Sequence, residues 1–196
     1  MEKEYTVTVY TEDRIGITNR ITVIFTRRRI NITSLTTAET EIPGVYKFII
    51  TVLSERSKLD KIVGQIERLV EIHRAFVHDE DEVVYQELAL YKISTKSLQN
   101  GNIEKLIREN QARILTITDE YFVIEKTGHQ HELIALQEKL APYGLIEYSK
   151  SGRVAIVKWS RRFHDHLKEL AGLHTDNLPV ADYSNSSRGS IAEESI

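Results

Sequence analysis

Seven histidines, 29 carboxylates and no cysteine bound the chemistry that this 196-residue chain could perform. Four of the histidines fall in two H-x-H pairs, His129/His131 and His164/His166. A metal centre would need a third converging ligand and an oriented second shell, and residues two apart do not share a helix face. The pattern therefore predicts no metal site. The carboxylates stand in no apolar setting that would split a pair of pKa values for acid and base work. The missing cysteine removes thiol nucleophiles, thiolate metal sites and disulfides together. The chain also has no G-x-G-x-x-G, Walker loop or zincin helix, so the minimal marks of dinucleotide, nucleotide and metalloprotease sites are absent. No catalytic residue is predicted.

The segment from Thr11 to Arg20, TEDRIGITNR, is different. A glycine at the start of an amphipathic helix lets backbone N–H groups approach a ligand, and a helix N-terminus favours an anion. The carboxylate of an amino acid would suit Gly16. Its ammonium would need an acceptor, which Asp13 or the amide oxygen of Asn31 could supply. On the other reading Asp13 merely caps the helix and Gly16 merely turns the chain. The pattern alone leaves the two readings level.

The elements that would hold these residues follow from period. Thr6 to Tyr10 alternates as a strand, and Ile17, Ile21, Ile24 and Phe25 repeat at helical spacing to about Arg29. Asn31 to Thr37 and Val45 to Leu53 are strand-like around the turn Ile42-Pro43-Gly44. Leu59, Ile62, Val63, Ile66 and Leu69 form a second helical stripe, and Ile72 to Val77 a strand. The order β-α-β-β-α-β recurs after the acidic stretch Asp79 to Glu82. Its second copy has strands at Leu88 to Ser94, Ala112 to Thr118, Tyr121 to Lys126 and Leu145 to Ser149, and helices at Ile103 to Glu109 and His131 to Leu140. Arg153 to Trp159 extends or pairs with the last strand. The expected fold is α+β: two tandem ferredoxin-like (βαββαβ) domains, each an antiparallel sheet with both helices on one face. The predicted division is 1–80, 81–160 and 161–196. The last part would hold one helix, Phe163 to Leu173, and a flexible tail from Asp182 rich in Ser, Asn, Gly and Glu.

A composition of 41% hydrophobic and 28% charged residues suits a packed chain. Domains of about 60 residues bury only ~60% of their unfolded surface, so oligomerisation is expected. The net charge of -3 provides no field to attract nucleic acid. Arg27-Arg28-Arg29 reads first as cations favoured in a last helical turn, and second as a contact for a partner or an anionic ligand. The start lacks the apolar run of a secretory signal, and no stretch approaches the ~18 to 20 apolar residues of a membrane span. A soluble, unprocessed, cytoplasmic protein without membrane or nucleic-acid partners is expected. Its N-x-S/T matches at Asn31 and Asn185 would then carry no glycan.

Specific residues carry a resemblance. D-R-I-G-I at 13 to 17, I-x-x-I-F at 21 to 25 and I-N-I-T-S-L at 30 to 35 resemble the N-terminal ACT domain of the acetolactate (acetohydroxyacid) synthase small subunit family. Glu12, Asp13, Gly16, Ile17, Arg20, Arg28, Asn31, Ile32, Ser34 and Leu35 fall on that family's pattern. The likeness continues through Glu87 to Ile93 and Ser149 to Gly152, and covers residues 1 to about 160. Three positions depart from the pattern: Asp13 stands for the usual Asn, Arg29 for Gly and Lys150 for Arg. An ionised Asp accepts hydrogen bonds but cannot donate one to a carboxylate, so effector affinity or selectivity is what the first exchange bears on.

The resemblance implies a regulatory subunit that does no chemistry itself. Its partner would be a separate catalytic subunit carrying thiamine diphosphate, Mg²⁺ and FAD, none of them bound by this chain. The chain would activate that partner and transmit feedback by valine or another branched-chain amino acid. It would work as a homodimer with two effector sites at the dimer interface, each contacted by Asp13, Gly16 and Asn31 and lined by Ile17 and Ile32. The rivals are a free-standing ACT-type amino-acid sensor serving another enzyme or a transporter, and a small enzyme on the same fold.

Overall fold

Alternation of β-branched and aromatic residues makes Lys3–Glu12 the first strand, β1, of the computed structural model, which describes residues 2–100 and 102–158. The expected helix at Phe163 to Leu173, the tail and the His164/His166 pair lie outside the described residues. Helix α1, Ile17–Arg27, buries Ile17, Ile21 and Phe25 at i, i+4, i+8 spacing. Strands β2, Ile32–Glu39, and β3, Val45–Ser54, form a hairpin. Helix α2, Arg56–Ile66, buries Leu59, Ile62 and Ile66, with Leu69 just past its end, and β4 spans Ile72–His78. The sheet order is β2-β3-β1-β4, antiparallel throughout. Both helical stripes meet Val7, Val9, Phe48, Ile50, Val52 and Val77 in one core, so both helices lie on one face. Cutting a fully buried member such as Phe25 to alanine would cost about 3–5 kcal/mol.

The second copy contains β5 (Val83–Ser94), α3 (Asn102–Glu109), β6 (Arg113–Ile117), β7 (Tyr121–Gly128), α4 (Gln130–Leu140) and β8 (Leu145–Lys150). Its order, β6-β7-β5-β8, matches the first copy position for position. The repeat is also written in the backbone. In α1 the amides of Arg29 and Ile30 bond back to Thr26 and Phe25, at 3.0 and 3.1 Å. In α3 those of Gln111 and Ala112 bond to Arg108 and Ile107, both at 3.0 Å. These are two Schellman caps, and the left-handed position falls on a non-glycine each time: Arg29 at φ 55° and Gln111 at φ 53°. Arg29 thus adopts the conformation that glycine would hold without strain, at a cost of about 1–2 kcal/mol.

One strand begins earlier than its pattern predicts. β5 starts at Val83 rather than Leu88, directly after the capped acidic turn Glu80–Glu82. The added residues pair with β9, Val154–Val157, which continues the line of β8 along β5 after a one-residue step at Ser151 to Arg153. Of the two arrangements expected for this segment, extension is the one found. Pairing with β5 lets Val83, Tyr85, Ala155 and Val157 pack on Ile49, on the face of the first sheet away from its helices. Thr6, Thr8 and Thr51 of that face are buried too. No helix among the described residues is long and apolar enough to cross a membrane.

Candidate functional site

The start of α1 is open and uncapped. Gly16 is its N-cap at φ 84°, with no side chain bonded over it, and a Cβ placed there would meet open space. Its conformation, not crowding, asks for glycine. Arg20 donates its amide to the Gly16 carbonyl at 3.1 Å, and the Ile17 amide is taken by Arg14 O at 3.1 Å. The amides of Thr18 and Asn19, in the first turn of α1, have no backbone partner. Asp13 does not cap them: it is exposed, and its own amide bonds to Gly44 O at 3.3 Å. The helix start is therefore an anion-accepting surface by geometry.

Its frame is ionic. Arg20 forks onto both carboxylate oxygens of Glu71, at 2.7 and 2.9 Å, and Arg14 pairs with Glu12 at 3.1 Å. A hydrogen bond from its own backbone, then Arg20 and the charge of Arg14, hold the Glu71 carboxyl below the usual carboxylate range. Ile15 stands wholly in solvent beside Gly16, and Val70 does so beside Glu71. Two large apolar residues bare at the mouth of a helix start suit a surface that a partner covers.

Asn31 lies at the other end of α1. It borders a cavity of about 360 Å³ with Arg28, Arg29 and Lys58, the last paired to Glu55 at 3.3 Å. The 11 residues of α1 separate that cavity from Gly16 by about 16 Å at 1.5 Å per residue. One chain thus brings Asp13 and Gly16 together but not Asn31. Ile17 turns into the core at 6% exposure, and Ile32 is half-buried against the same core, opposite Val52.

The two later stretches of the sequence pattern converge on the seam between the sheets. Lys150 donates to Glu87 at 2.6 Å, and the Glu87 side chain is only 2% exposed. Gly152 lies against Thr36 and the Leu35 carbonyl of β2, with no room for a Cβ. Arg153, at 1% exposure, is centred 3.6 Å over the Tyr85 ring and donates to Thr6 Oγ1 at 2.9 Å and Glu4 at 2.6 Å. Burial, and a hydrogen bond donated to Glu80, push the Tyr85 hydroxyl up to about 12. Sequence reasoning missed Arg153, and in one sequence a cation in an alternating strand carries no sign of burial. The glycine before it was the available hint, as a mark of close backbone approach. His129 and His131 stack with ring centroids 5.9 Å apart, and no cluster of three or more His, Asp or Glu among the described residues could hold a metal.

Comparison with known proteins matches both halves of this architecture. A family model described as the acetohydroxyacid synthase small subunit-like ACT domain matches residues 7–74, and one described as the small subunit of acetolactate synthase matches 86–159. The chain is similar to the acetolactate synthase small subunit of Mycolicibacterium smegmatis, 32% identical over 157 residues, 80% of this chain and 92% of that protein. The Bacillus subtilis small subunit is 29% identical over 164 residues, 83% of this chain and 94% of that one. Among solved structures, the acetolactate synthase small subunit of Thermotoga maritima superposes with a TM-score of 0.73 at 26% identity, covering 81% of this chain and 99% of that one.

Proposed function

The chain belongs to the acetolactate synthase small-subunit family, and from that premise we propose that it is the non-catalytic regulator of a separate catalytic subunit. It activates that subunit and makes it sensitive to a branched-chain amino acid, valine first. The observation that carries this reading is the likeness to small subunits along both sheets, residues 7–74 and 86–159. Thiamine diphosphate, Mg²⁺ and FAD belong to the catalytic partner, and the complex is cytoplasmic. Residues 1–80 bind the effector and dimerise, and residues 81–160 form the second ferredoxin-like domain.

The effector site is shared between two copies. β2 is an edge strand that runs from Asn31 back toward the end where Asp13 bonds to Gly44. Antiparallel pairing of two β2 edges about a two-fold axis sets Asn31 of one copy near Asp13 and Gly16 of the other. The open amides at the helix start take the effector carboxylate. Asp13 and Asn31 accept from its ammonium, and Ile17 and Ile32 form the apolar floor behind them. Binding then biases the interface between copies. The test adds the purified chain to its catalytic subunit with and without valine, leucine and isoleucine. Activation with inhibition by at least one of the three is expected, and pyruvate condensation by this chain alone would overturn the reading.

A further inference from the structure

Lys126 occupies a core position. It lies on β7 in line with Phe122 and Ile124, which face the second core, and is 8% exposed. Its ammonium makes no hydrogen bond or ion pair with any described residue, and Glu132 senses it only as a through-space charge. It lines a cavity of about 380 Å³ between the Schellman turn that ends α3 and one face of α4, bordered by Asn110, Gln111, His131 and Lys139. That volume lies in the range of small-ligand sites.

A buried lysine often runs its stem along apolar surface to reach water or an acid. Here each of the two acids at the cavity is engaged through one oxygen. Glu132 accepts the His129 amide at 2.7 Å in a capping box, and that backbone bond, then Lys126 and the neighbouring histidines, hold its carboxyl low. Glu109 pairs with Lys105 at 3.7 Å. Lys139 donates to Asn110 Oδ1 at 3.1 Å, which fixes a second ammonium at the rim. The polar side chains left for a ligand are Lys126 and the exposed His131 and Gln111, and of these the buried ammonium can only donate. The complement of that ammonium is an acceptor with negative charge.

We propose that this cavity of the second domain binds a small anion bearing a carboxylate or phosphate group, held by Lys126 with Lys139 and His131 at its rim. The site uses none of the residues assigned to the amino-acid effector, so its failure would leave that reading intact.

Titrating the full chain with inorganic phosphate, and separately with acetate, tests the site by amide NMR. Saturable shifts centred on Asn110, Gln111, Lys126 and His131 are expected for at least one anion, and which one saturates names the class. Lys126→Met keeps the apolar stem, removes the charge and should weaken binding about tenfold or more. His131→Ala changes an exposed position that the fold does not need, so it carries the test should Lys126→Met fail to fold. Weaker binding in His131→Ala is expected. No saturation with either anion, shifts scattered over all surface cations, or affinity unchanged in both variants would overturn the proposal.

Discussion

Arg153 Nη1 donates to Thr6 Oγ1 at 2.9 Å, so the corner leading into the last described strand is bonded to the first strand across 147 positions of sequence. The same guanidinium reaches Glu4 at 2.6 Å and comes within 4.0 Å of Glu87. The two sheets are thereby joined through one buried cation, whose neighbour Gly152 touches β2, the strand that opens beside Asn31.

Removing that cation should be costly. Arg153→Ala strips the partner from Thr6 and Glu4, empties the space over Tyr85 and leaves Glu87 with Lys150 alone. Breaking a buried ion pair costs about 3–5 kcal/mol, and the half-exposed Glu4 places this case toward the lower end. Arg153→Lys should recover only part, because an ammonium lacks the planar fork. Urea unfolding of both variants measures the loss, and a change below 1 kcal/mol would show the seam to be held by apolar contacts instead.

Acid should weaken the fold through His78. It is buried beside Thr8 Oγ1 at 2.9 Å and Phe76, and burial first, then the charges of Lys47 and Arg56, push its pKa below the usual 6.5, while Glu82 opposes. The folded form therefore holds the proton less tightly than the unfolded chain. Stability from this group is complete above about pH 6.5 and is lost as pH falls below it, by up to about 1.4 kcal/mol per unit, until the folded pKa is passed. His78→Gln should flatten this part of the profile in urea unfolding at a series of pH values. Superimposable slopes for the two proteins would assign the acid loss to other groups.

Gly16→Asp tests the effector site. A left-handed residue other than glycine costs about 1–2 kcal/mol, and a carboxylate at the helix start offsets about 0.3–1 kcal/mol of that, so the fold should survive. The new carboxylate covers the open amides of Thr18 and Asn19 and repels an anionic group. Loss of one charge-assisted hydrogen bond, about 1.5–3 kcal/mol, corresponds to a ten- to hundredfold weaker effector. Activation should persist while feedback is lost, and Asn31→Ala should behave alike. An unchanged inhibition midpoint in both variants would place the site elsewhere.

Mixing those two variants reads out the geometry. If each site joins Gly16 of one copy to Asn31 of the other, a mixed dimer of Gly16→Asp and Asn31→Ala chains contains one intact site and one doubly altered site. Partial feedback should return on co-refolding. A mixture as resistant as its parents would mean that the effector is bound within single chains.

A fragment of residues 1–80 contains the whole first core but none of its cover from Tyr85, Arg153 and Ala155. It should fold and dimerise, with lower stability than the full chain because Ile49, Thr6 and Thr8 become exposed. Sedimentation and urea unfolding of the fragment check this, and a monomeric, unfolded fragment would contradict the domain division.

Local order was legible from the residues. The spacing of Ile17, Ile21 and Phe25 is enough to make an amphipathic helix, and alternation in β1 and β3 makes strands, because backbone geometry gives each position its face. The element order, and the glycine opening α1, followed from the same reading. Period says which face a side chain takes, but not what that face will meet. Only the tertiary structure decided that β9 continues along β5 and buries Arg153, that His78 and Lys126 lie inside, and that α1 holds Gly16 and Asn31 apart. Those outcomes depend on contacts between residues far apart in the chain, where the cost of burying a charge is offset by partners that no local pattern names.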